Sequence, residues 1–324
     1  MLSAIIRRLL QTVLIVLVMS ALVFAGLYLI GDPVTMLASP EATDAERELI
    51  RQSLGLDLPL WQQYFIFLSK AVHLDFGNSF LTGEPAMRLI LERMPATLEL
   101  ATFAMLMSVL IGVPLGIYAG LKPKDLGARS VMTSSVLGFS LPNFWVGLML
   151  IMLFAVYLGW LPAGGRGPVE HFGPIELSAF SAAGLKNLIL PAATIAVAKC
   201  ALIIRVTRAA TRECLPQDYI KFARAKGLSE KRVLGVHLLK NIMIPIITIA
   251  GLEYGQVFAF AVVTETVFSW PGMGKLLIDS IITLDRPVVV AYLMLAVVFL
   301  AMLNLVVDIA YTILDPRVRL GGAT

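Results

Sequence analysis

Long apolar stretches alternate with short polar segments along almost the whole chain. A helix that crosses a membrane needs roughly 20 mainly apolar residues. Six stretches reach this length, at residues 9–30, 97–120, 131–160, 188–206, 242–268 and 288–314. The third stretch is long enough to tilt or to break at Pro142. The pattern predicts an all-α integral membrane protein with six transmembrane helices.

The composition agrees with this fold class. Of the 324 residues, 58% are hydrophobic and 15% are charged, whereas soluble domains are typically ~45–50% apolar and ~25% charged. An ordinary soluble globular protein is therefore excluded. The two cysteines, Cys200 and Cys214, are too few for a disulfide framework or a four-cysteine zinc site. The three histidines are scattered, so we predict no metal site.

Basic residues predict the orientation in the membrane. They concentrate in residues 7–8, 122–129, 205–240 and 317–319, which lie on one side if the six stretches all cross. Lys and Arg near helix ends favour the cytoplasm, so we expect both termini to be cytoplasmic. The net charge of +4 reflects this bias, and we expect no nucleic-acid partner.

The loops on the opposite side contain several features of their own. Residues 41–55 and 59–74 have patterns typical of short surface helices, and residues 163–184 are rich in Gly and Pro, which predicts irregular structure. We divide the chain into residues 1–96, with the first transmembrane helix and an extracytoplasmic region, and residues 97–324. The second part is a five-helix core with a cytoplasmic helical segment at about residues 216–241.

No nucleotide site or catalytic set is encoded. Asp75-Phe76-Gly77 spells a kinase triplet without the other kinase motifs. Residues 272–275 resemble part of a phosphate loop, but Ser269 and Leu276 stand where that loop needs Gly and Ser or Thr. We predict that the chain is not an enzyme, so energy for transport would come from a partner or a gradient.

Residues 218–227 form the one strongly basic, helix-patterned segment between two apolar stretches. Pro216 restarts the chain, Asp218 favours the positive end of a helix dipole, and Gly227 is a typical helix terminator. A second helix is predicted at residues 230–241, and Pro245 is expected to open the fifth transmembrane helix. The first helix either docks into a groove of a soluble partner or is a basic interfacial helix that only maintains topology.

Residues 223–228, Ala-Arg-Ala-Lys-Gly-Leu, resemble the coupling loop of ABC importer permeases. More narrowly, the chain resembles the dipeptide/oligopeptide/nickel permease family, in the first subunit of the permease pair. Matching motifs extend along nearly the whole chain, including residues 31–33, 54–57, 75–79, 95–100, 140–144, 159–162, 241–245, 265–272 and 315–319. Lys221 departs from the general loop, which has Glu there, and residues 164–184 are longer than in many relatives.

The resemblance implies a type I ABC importer permease in a bacterial cytoplasmic (inner) membrane. It implies a second homologous permease, an extracytoplasmic substrate-binding protein, and two ATPase subunits that bind ATP and Mg²⁺. The implied cargo is di- or oligopeptides, and nickel, another metal chelate or glutathione are alternatives. A gradient-driven secondary transporter is a more distant alternative; many such folds contain an internal repeat, and we find none.

Two sets of candidate site residues follow. The resemblance implies contact with the ATPase by Asp218, Tyr219, Phe222, Ala223, Arg224, Ala225, Lys226, Gly227 and Leu228. Candidates for the translocation path are Pro142, Asn143, Lys199, Glu253 and Glu265.

Two of these candidates carry opposite charges at similar membrane depth. Lys199 is near the middle of the fourth apolar stretch and Glu253 near the middle of the fifth, and the two helices are predicted to run antiparallel. Charges near the bilayer centre are costly and usually face a partner or a cavity. We expect that Lys199 and Glu253 either pair directly or both line the path; otherwise each bonds a different neighbour.

Overall fold

A computed structural model describes residues 2–27, 34, 38, 41–53, 55–173 and 175–314. The chain separates into two compact units that are each discontinuous in sequence: residues 95–274 with 303–324, and residues 2–94 with 275–302. Helices account for most of the described residues. The sequence analysis divided the chain differently, into residues 1–96 and 97–324, on the basis of predicted membrane topology. That division stays a prediction.

The first unit contains most of the membrane core. Its helices include the larger part of α4 (Ala86–Leu121), α5 (Leu126–Ser140), α6 (Asn143–Leu150), α7 (Ala182–Cys214), α8 (Asp218–Ala225), α9 (Glu230–Arg232), α10 (Leu239–Phe260) and α11 (Val262–Val267). Two π-helical segments continue the α-helices, Ile151–Tyr157 after α6 and Val233–Leu238 between α9 and α10.

The second unit contains α1 (Leu2–Leu27), α2 (Asp44–Ser53) and α3 (Leu60–Val72), with most of α12 (Met273–Ile282) and the first part of α13 (Arg286–Leu314). Within it, the Ser20 hydroxyl lies 2.9 Å from the Tyr64 hydroxyl, and Phe24 packs edge-on against the Tyr64 ring. Thr43 and Glu46 form a reciprocal capping box before α2. The predicted surface helices at residues 41–55 and 59–74 correspond to α2 and α3.

Three glycines let α4 approach α7 closely. Gly112, Gly116 and Gly120 are spaced by four residues, so they lie on one face of α4. A Cβ atom at Gly116 would lie 2.6 Å from the Thr207 Cβ, and one at Gly120 would lie 2.7 Å from the Thr211 Cβ. Any larger side chain would therefore force the helices apart. Small residues at such spacing permit close packing between membrane helices.

Three of the helices that can cross a membrane are longer than the sequence predicts. Five described helices are long and apolar enough, at Ile6–Gly26, Ala86–Leu121, Ala182–Cys214, Glu230–Phe260 and Arg286–Val307. The predicted stretch at residues 131–160 is a bent pair, Leu126–Ser140 with Asn143–Tyr157, at an angle of 106°. The break falls at Leu141 and Pro142, because Pro142 disfavours helical geometry in the residue before it.

The prediction that Pro245 opens the fifth helix is wrong. The chain remains helical from Glu230 to Phe260, and Pro245 lies inside α10. Ile242 and Ile246, on either side of the proline, are 0% and 1% exposed. A proline inside a membrane helix is tolerated because neighbouring helices and local adjustments satisfy the backbone groups that it frees.

The prediction of irregular structure at residues 163–184 is also partly wrong. Two short antiparallel strands, β1 (Glu170–Phe172) and β2 (Ile175–Leu177), form a hairpin in which Glu170 pairs with Leu177. The Ser181 hydroxyl then accepts a hydrogen bond from the Gly184 N–H at 2.9 Å and caps α7. The Gly and Pro content of this segment led to a prediction of irregular structure, although backbone hydrogen bonds stabilise a hairpin within it.

Candidate coupling helix and membrane charge pairs

Helix α8 is a short helix with defined ends. It spans Asp218–Ala225, and the Asp218 carboxylate in its first turn accepts a hydrogen bond from Lys221 Nζ at 3.0 Å. Gly227 has a φ of +77°, the left-handed conformation that commonly follows a helix. The Gly227 N–H donates to the Arg224 carbonyl at 2.9 Å. The predicted helix and its glycine terminator are confirmed.

One face of α8 is part of the hydrophobic core. Ile220 and Ala223 are 0% and 3% exposed. They belong to a buried cluster, here called the α8 cluster, whose other members are Val113, Ile203, Val233, Leu238, Ile242 and Ile246. The cluster joins α4, α7, α8 and α10, together with the first and last residues of the π-helical segment before α10. A displacement of α8 would therefore be transmitted to several long helices through side-chain packing.

The opposite face of α8 presents aromatic and basic side chains to the exterior. Tyr219 is 39% exposed and Phe222 is 61% exposed. The Lys226 ammonium lies 4.6 Å from the centroid of the Phe222 ring, a geometry typical of a cation–π contact. An exposed aromatic side chain beside a charge is a common anchor in protein interfaces, so this face suits contact with another protein.

An ion pair connects α8 to the helix that follows. Arg224 donates to both carboxylate oxygens of Glu230, at 2.8 and 3.2 Å. Both side chains are well exposed, so the pair contributes at most ~1 kcal/mol. Among the residues predicted to contact an ATPase, the structure buries Ala223, half-buries Leu228 and exposes Asp218, Tyr219, Phe222, Arg224, Ala225, Lys226 and Gly227.

Lys199 and Glu253 form a direct ion pair. Lys199 Nζ on α7 lies 2.5 Å from Glu253 Oε2 on α10, with side-chain exposures of 20% and 16%. Beside it, the hydroxyls of Thr102 and Tyr254 lie 3.1 Å apart. The structure confirms the direct pairing that the similar depth of the two charges suggested. Both side chains of the pair are therefore partly exposed in this chain.

The other path candidates lie elsewhere in the same unit. Pro142 and Asn143 are exposed at the 106° corner between α5 and α6. Glu265 is fully buried, and Thr97 Oγ1 donates to its carboxylate at 2.6 Å.

Glu265 organises the turn that begins α12. A Cβ atom at Gly272 would lie 2.3 Å from a carboxylate oxygen of Glu265, so only glycine fits beside it. Thr97 Oγ1, which donates to Glu265, also accepts from the Met273 N–H at 2.9 Å. These contacts favour a structural role for Glu265 in this conformation, and its assignment to the path stays a prediction.

Sequence reasoning missed a second buried ion pair. Arg166 donates from Nε and Nη2 to Glu99 Oε2 at 3.1 and 2.9 Å, and the side chains are 10% and 3% exposed. The other Glu99 oxygen accepts from the Ala179 N–H at 2.6 Å. The pair attaches the loop that carries the β-hairpin to α4. The signal in the sequence was Glu99 itself, at the N-terminal end of the apolar stretch 97–120. A carboxylate in an apolar environment needs a partner.

Comparison with known proteins identifies the family. A family model described as "Binding-protein-dependent transport system inner membrane component" matches residues 112–320, and the corresponding N-terminal model matches residues 1–101. The chain belongs to this family of binding-protein-dependent permeases. It is a multi-pass permease of an ABC importer in the cytoplasmic membrane, and ATPase partnership is general for such proteins.

Individual relatives agree with the family. The di/tripeptide transport system permease protein DppB of Pseudomonas aeruginosa is 41% identical, over 98% of this chain and 99% of its own length. The dipeptide permease protein DppB of Escherichia coli K12 is 36% identical over the same shares. The glutathione permease protein GsiC of that strain is 38% identical, again over 98% of this chain and 99% of its own length.

The fold also resembles that of a solved ABC importer. The MetNI methionine ABC transporter in an inward-facing conformation aligns with a TM-score of 0.55 and 16% identity. The alignment covers 71% of this chain and 97% of that one. At this identity the likeness supports the ABC importer permease fold alone.

The Lys199–Glu253 pair generates a testable prediction. We expect Lys199→Met and Glu253→Gln each to destabilise the assembled importer, because each leaves one charge without its partner. The cost should be below the ~3–5 kcal/mol of a fully dry pair, since both side chains keep some exposure. The double variant should lose less stability than the two single losses added together, as measured by thermal unfolding and transport.

The control for this cycle is Tyr254→Phe, which removes the neighbouring hydroxyl without touching either charge. It should leave the coupling between Lys199 and Glu253 unchanged. Strict additivity of the two single variants would contradict an energetic role for the pair.

Proposed function

We propose that this permease forms, with a second homologous permease, a translocation path for di- and oligopeptides. The proposal is supported by two dipeptide or di/tripeptide permeases that are 36–41% identical along nearly the whole chain. Glutathione is the second candidate cargo, because a glutathione permease is 38% identical over the same extent. Glutathione is itself a tripeptide, so the three relatives share a peptide-like cargo class.

Energy for import would come from partner subunits. We propose that two ATPase subunits bind ATP and Mg²⁺, that this chain holds no cofactor, and that an extracytoplasmic binding protein delivers the cargo. Coupling requires that nucleotide and loaded binding protein each favour a different permease state. The observation that carries this proposal is the two-faced helix α8, packed on the core through Ile220 and Ala223 and exposing Tyr219 and Phe222.

The proposed topology has six crossings, with the bent pair α5–α6 counted as one. Both termini and residues 205–241 would be cytoplasmic, and the region between α1 and α4 would face the outside. The basic residues at 205–240 support this orientation. It places α8 on the side where ATPase subunits reside.

The proposed path passes the Lys199–Glu253 pair and the corner at Pro142 and Asn143. Both features are partly or fully exposed within the first unit. A charge pair in an apolar environment suits a path for zwitterionic cargo, because it supplies one donor and one acceptor at the same depth.

Cargo selection is tested by competition. Cells that express the complete importer should take up a labelled dipeptide, and unlabelled dipeptides and tripeptides should reduce that uptake, since they share the free termini of the label. Glutathione and Ni²⁺ are the comparison competitors. Competition by glutathione alone would favour the second candidate, and competition by Ni²⁺ alone would reject a peptide cargo.

The role of α8 is tested with Phe222→Ala. We expect loss of ATPase subunits from the purified complex, or loss of ATPase stimulation by loaded binding protein, because interface anchors typically contribute ~2 kcal/mol or more. Leu126→Ala is the matched control, since Leu126 is an apolar side chain with 76% exposure outside α8. Normal assembly together with normal stimulation in Phe222→Ala would reject docking through this face.

Topology is tested by cysteine labelling in a background that carries Cys200→Ala and Cys214→Ala. Ser53 and Ser229 are both exposed, so their cysteine variants should react once the reagent reaches them. In sealed cells, an impermeant maleimide should label Ser53→Cys and spare Ser229→Cys until the cells are opened. Labelling of Ser229→Cys in sealed cells would contradict the proposed orientation.

A further inference from the structure

An apolar groove of about 450 Å³ lies among α4, α5 and α7, within the first unit. Its volume falls in the range of about 300–1,000 Å³ that is usual for ligand sites. Ile111 and Leu115 line it from α4, and Ser134 and Gly138 line it from α5. The surface is almost entirely apolar, with a few serine hydroxyls on α5.

The groove has the length of one membrane leaflet. On α7 its lining residues run from Ala193 to Ile204, a rise of about 16 Å at ~1.5 Å per residue. One leaflet is about half of the roughly 30 Å hydrocarbon core. An extended acyl chain therefore matches the length and the apolar lining of the groove.

A cation lies at one end of the groove. Arg205 follows the lining residue Ile204, and its Nε donates to the carbonyl of another lining residue, Ala201, at 3.3 Å. Its guanidinium lies 4.6 Å from the centroid of the Phe139 ring. No carboxylate in the described part of the chain lies within ion-pair distance of Arg205, so its charge is available to an external anion.

A second cation is exposed beside the first lining residue of α5. Arg129 is exposed directly before the lining residue Ser130. Basic pockets between transmembrane helices suit anionic lipid headgroups.

We propose that this groove is a binding site for an anionic phospholipid, with one acyl chain along α5 and α7 and the phosphate at Arg205. The occupant must combine a long apolar part with a negative group at one end, because the lining is apolar and Arg205 follows its last residue on α7. A phospholipid of the inner leaflet has this chemistry. The inference does not depend on which cargo the importer carries.

The test measures lipid retention by the assembled importer, purified through a tag on this chain from nanodiscs that contain equal amounts of phosphatidylglycerol and phosphatidylethanolamine. Native mass spectrometry should show preferential retention of phosphatidylglycerol by the wild type. Arg205→Gln should reduce this preference about fivefold, and Arg205→Lys should keep most of it. Arg212→Gln, at an exposed position on the same helix, is the matched control and should have no effect.

The groove itself is tested by filling it. Ser134→Phe should abolish retention of the lipid, whereas Thr133→Phe, on the adjacent exposed residue outside the lining, should not. Ser130→Leu fills the groove from the first lining residue of α5 and replaces Ser134→Phe if that variant does not assemble.

Three outcomes would overturn the proposal. The first is equal retention of both lipids by the wild type. The second is loss of preference in Arg205→Gln with full retention in the filled groove, since this would place the lipid elsewhere. The third is efficient cross-linking of Ser134→Cys to the second permease, because the groove would then be a protein interface.

Discussion

The close approach of α4 to α7 at Gly112, Gly116 and Gly120 is the constraint on which the first unit depends. Between membrane helices the lipid offers no hydrophobic driving force, so van der Waals contact at short range has to hold the pair together. The glycines make that contact possible because a Cβ atom at any of them would lie 2.6–2.9 Å from an atom of α7. The same two helices also contribute to the α8 cluster, through Val113 of α4 and Ile203 of α7. Their close approach therefore helps to form the surface on which α8 packs.

Polar groups in this unit follow a second physical rule, that a charge in an apolar environment needs a partner. Glu99 is bound by Arg166 and the Ala179 N–H, Glu253 by Lys199, and Glu265 by Thr97. The Glu99 contacts attach the loop with the β-hairpin to α4, and the Glu265 contact attaches α11 to α4. The Lys199–Glu253 pair differs because it joins two long helices and keeps partial exposure, which is the arrangement expected where charges can exchange partners.

Helix α8 is the proposed connection between this framework and the ATPase subunits. Its buried residues share a cluster with three long helices, and its exposed residues carry the aromatic and basic side chains of an interface. Interiors are close-packed, so a movement imposed on α8 cannot be absorbed locally without opening a cavity. A motion of the ATPase subunits would thus reach α4, α7 and α10 through packing contacts, which is a physical route for coupling.

The sequence by itself determined the membrane class, the positions of most apolar helices, the short helix at residues 218–227 with its glycine terminator, and the family. These features are local or compositional: hydrophobic length and helix-ending residues act over a few neighbouring positions. It also indicated that Lys199 and Glu253 lie at similar depth. Tertiary structure alone decided that they meet, that Arg166 is the partner of Glu99, and that the helix continues through Pro245. Each of these depends on contacts between segments distant in the chain, whose packing and desolvation energies exceed the local preferences that a sequence pattern expresses.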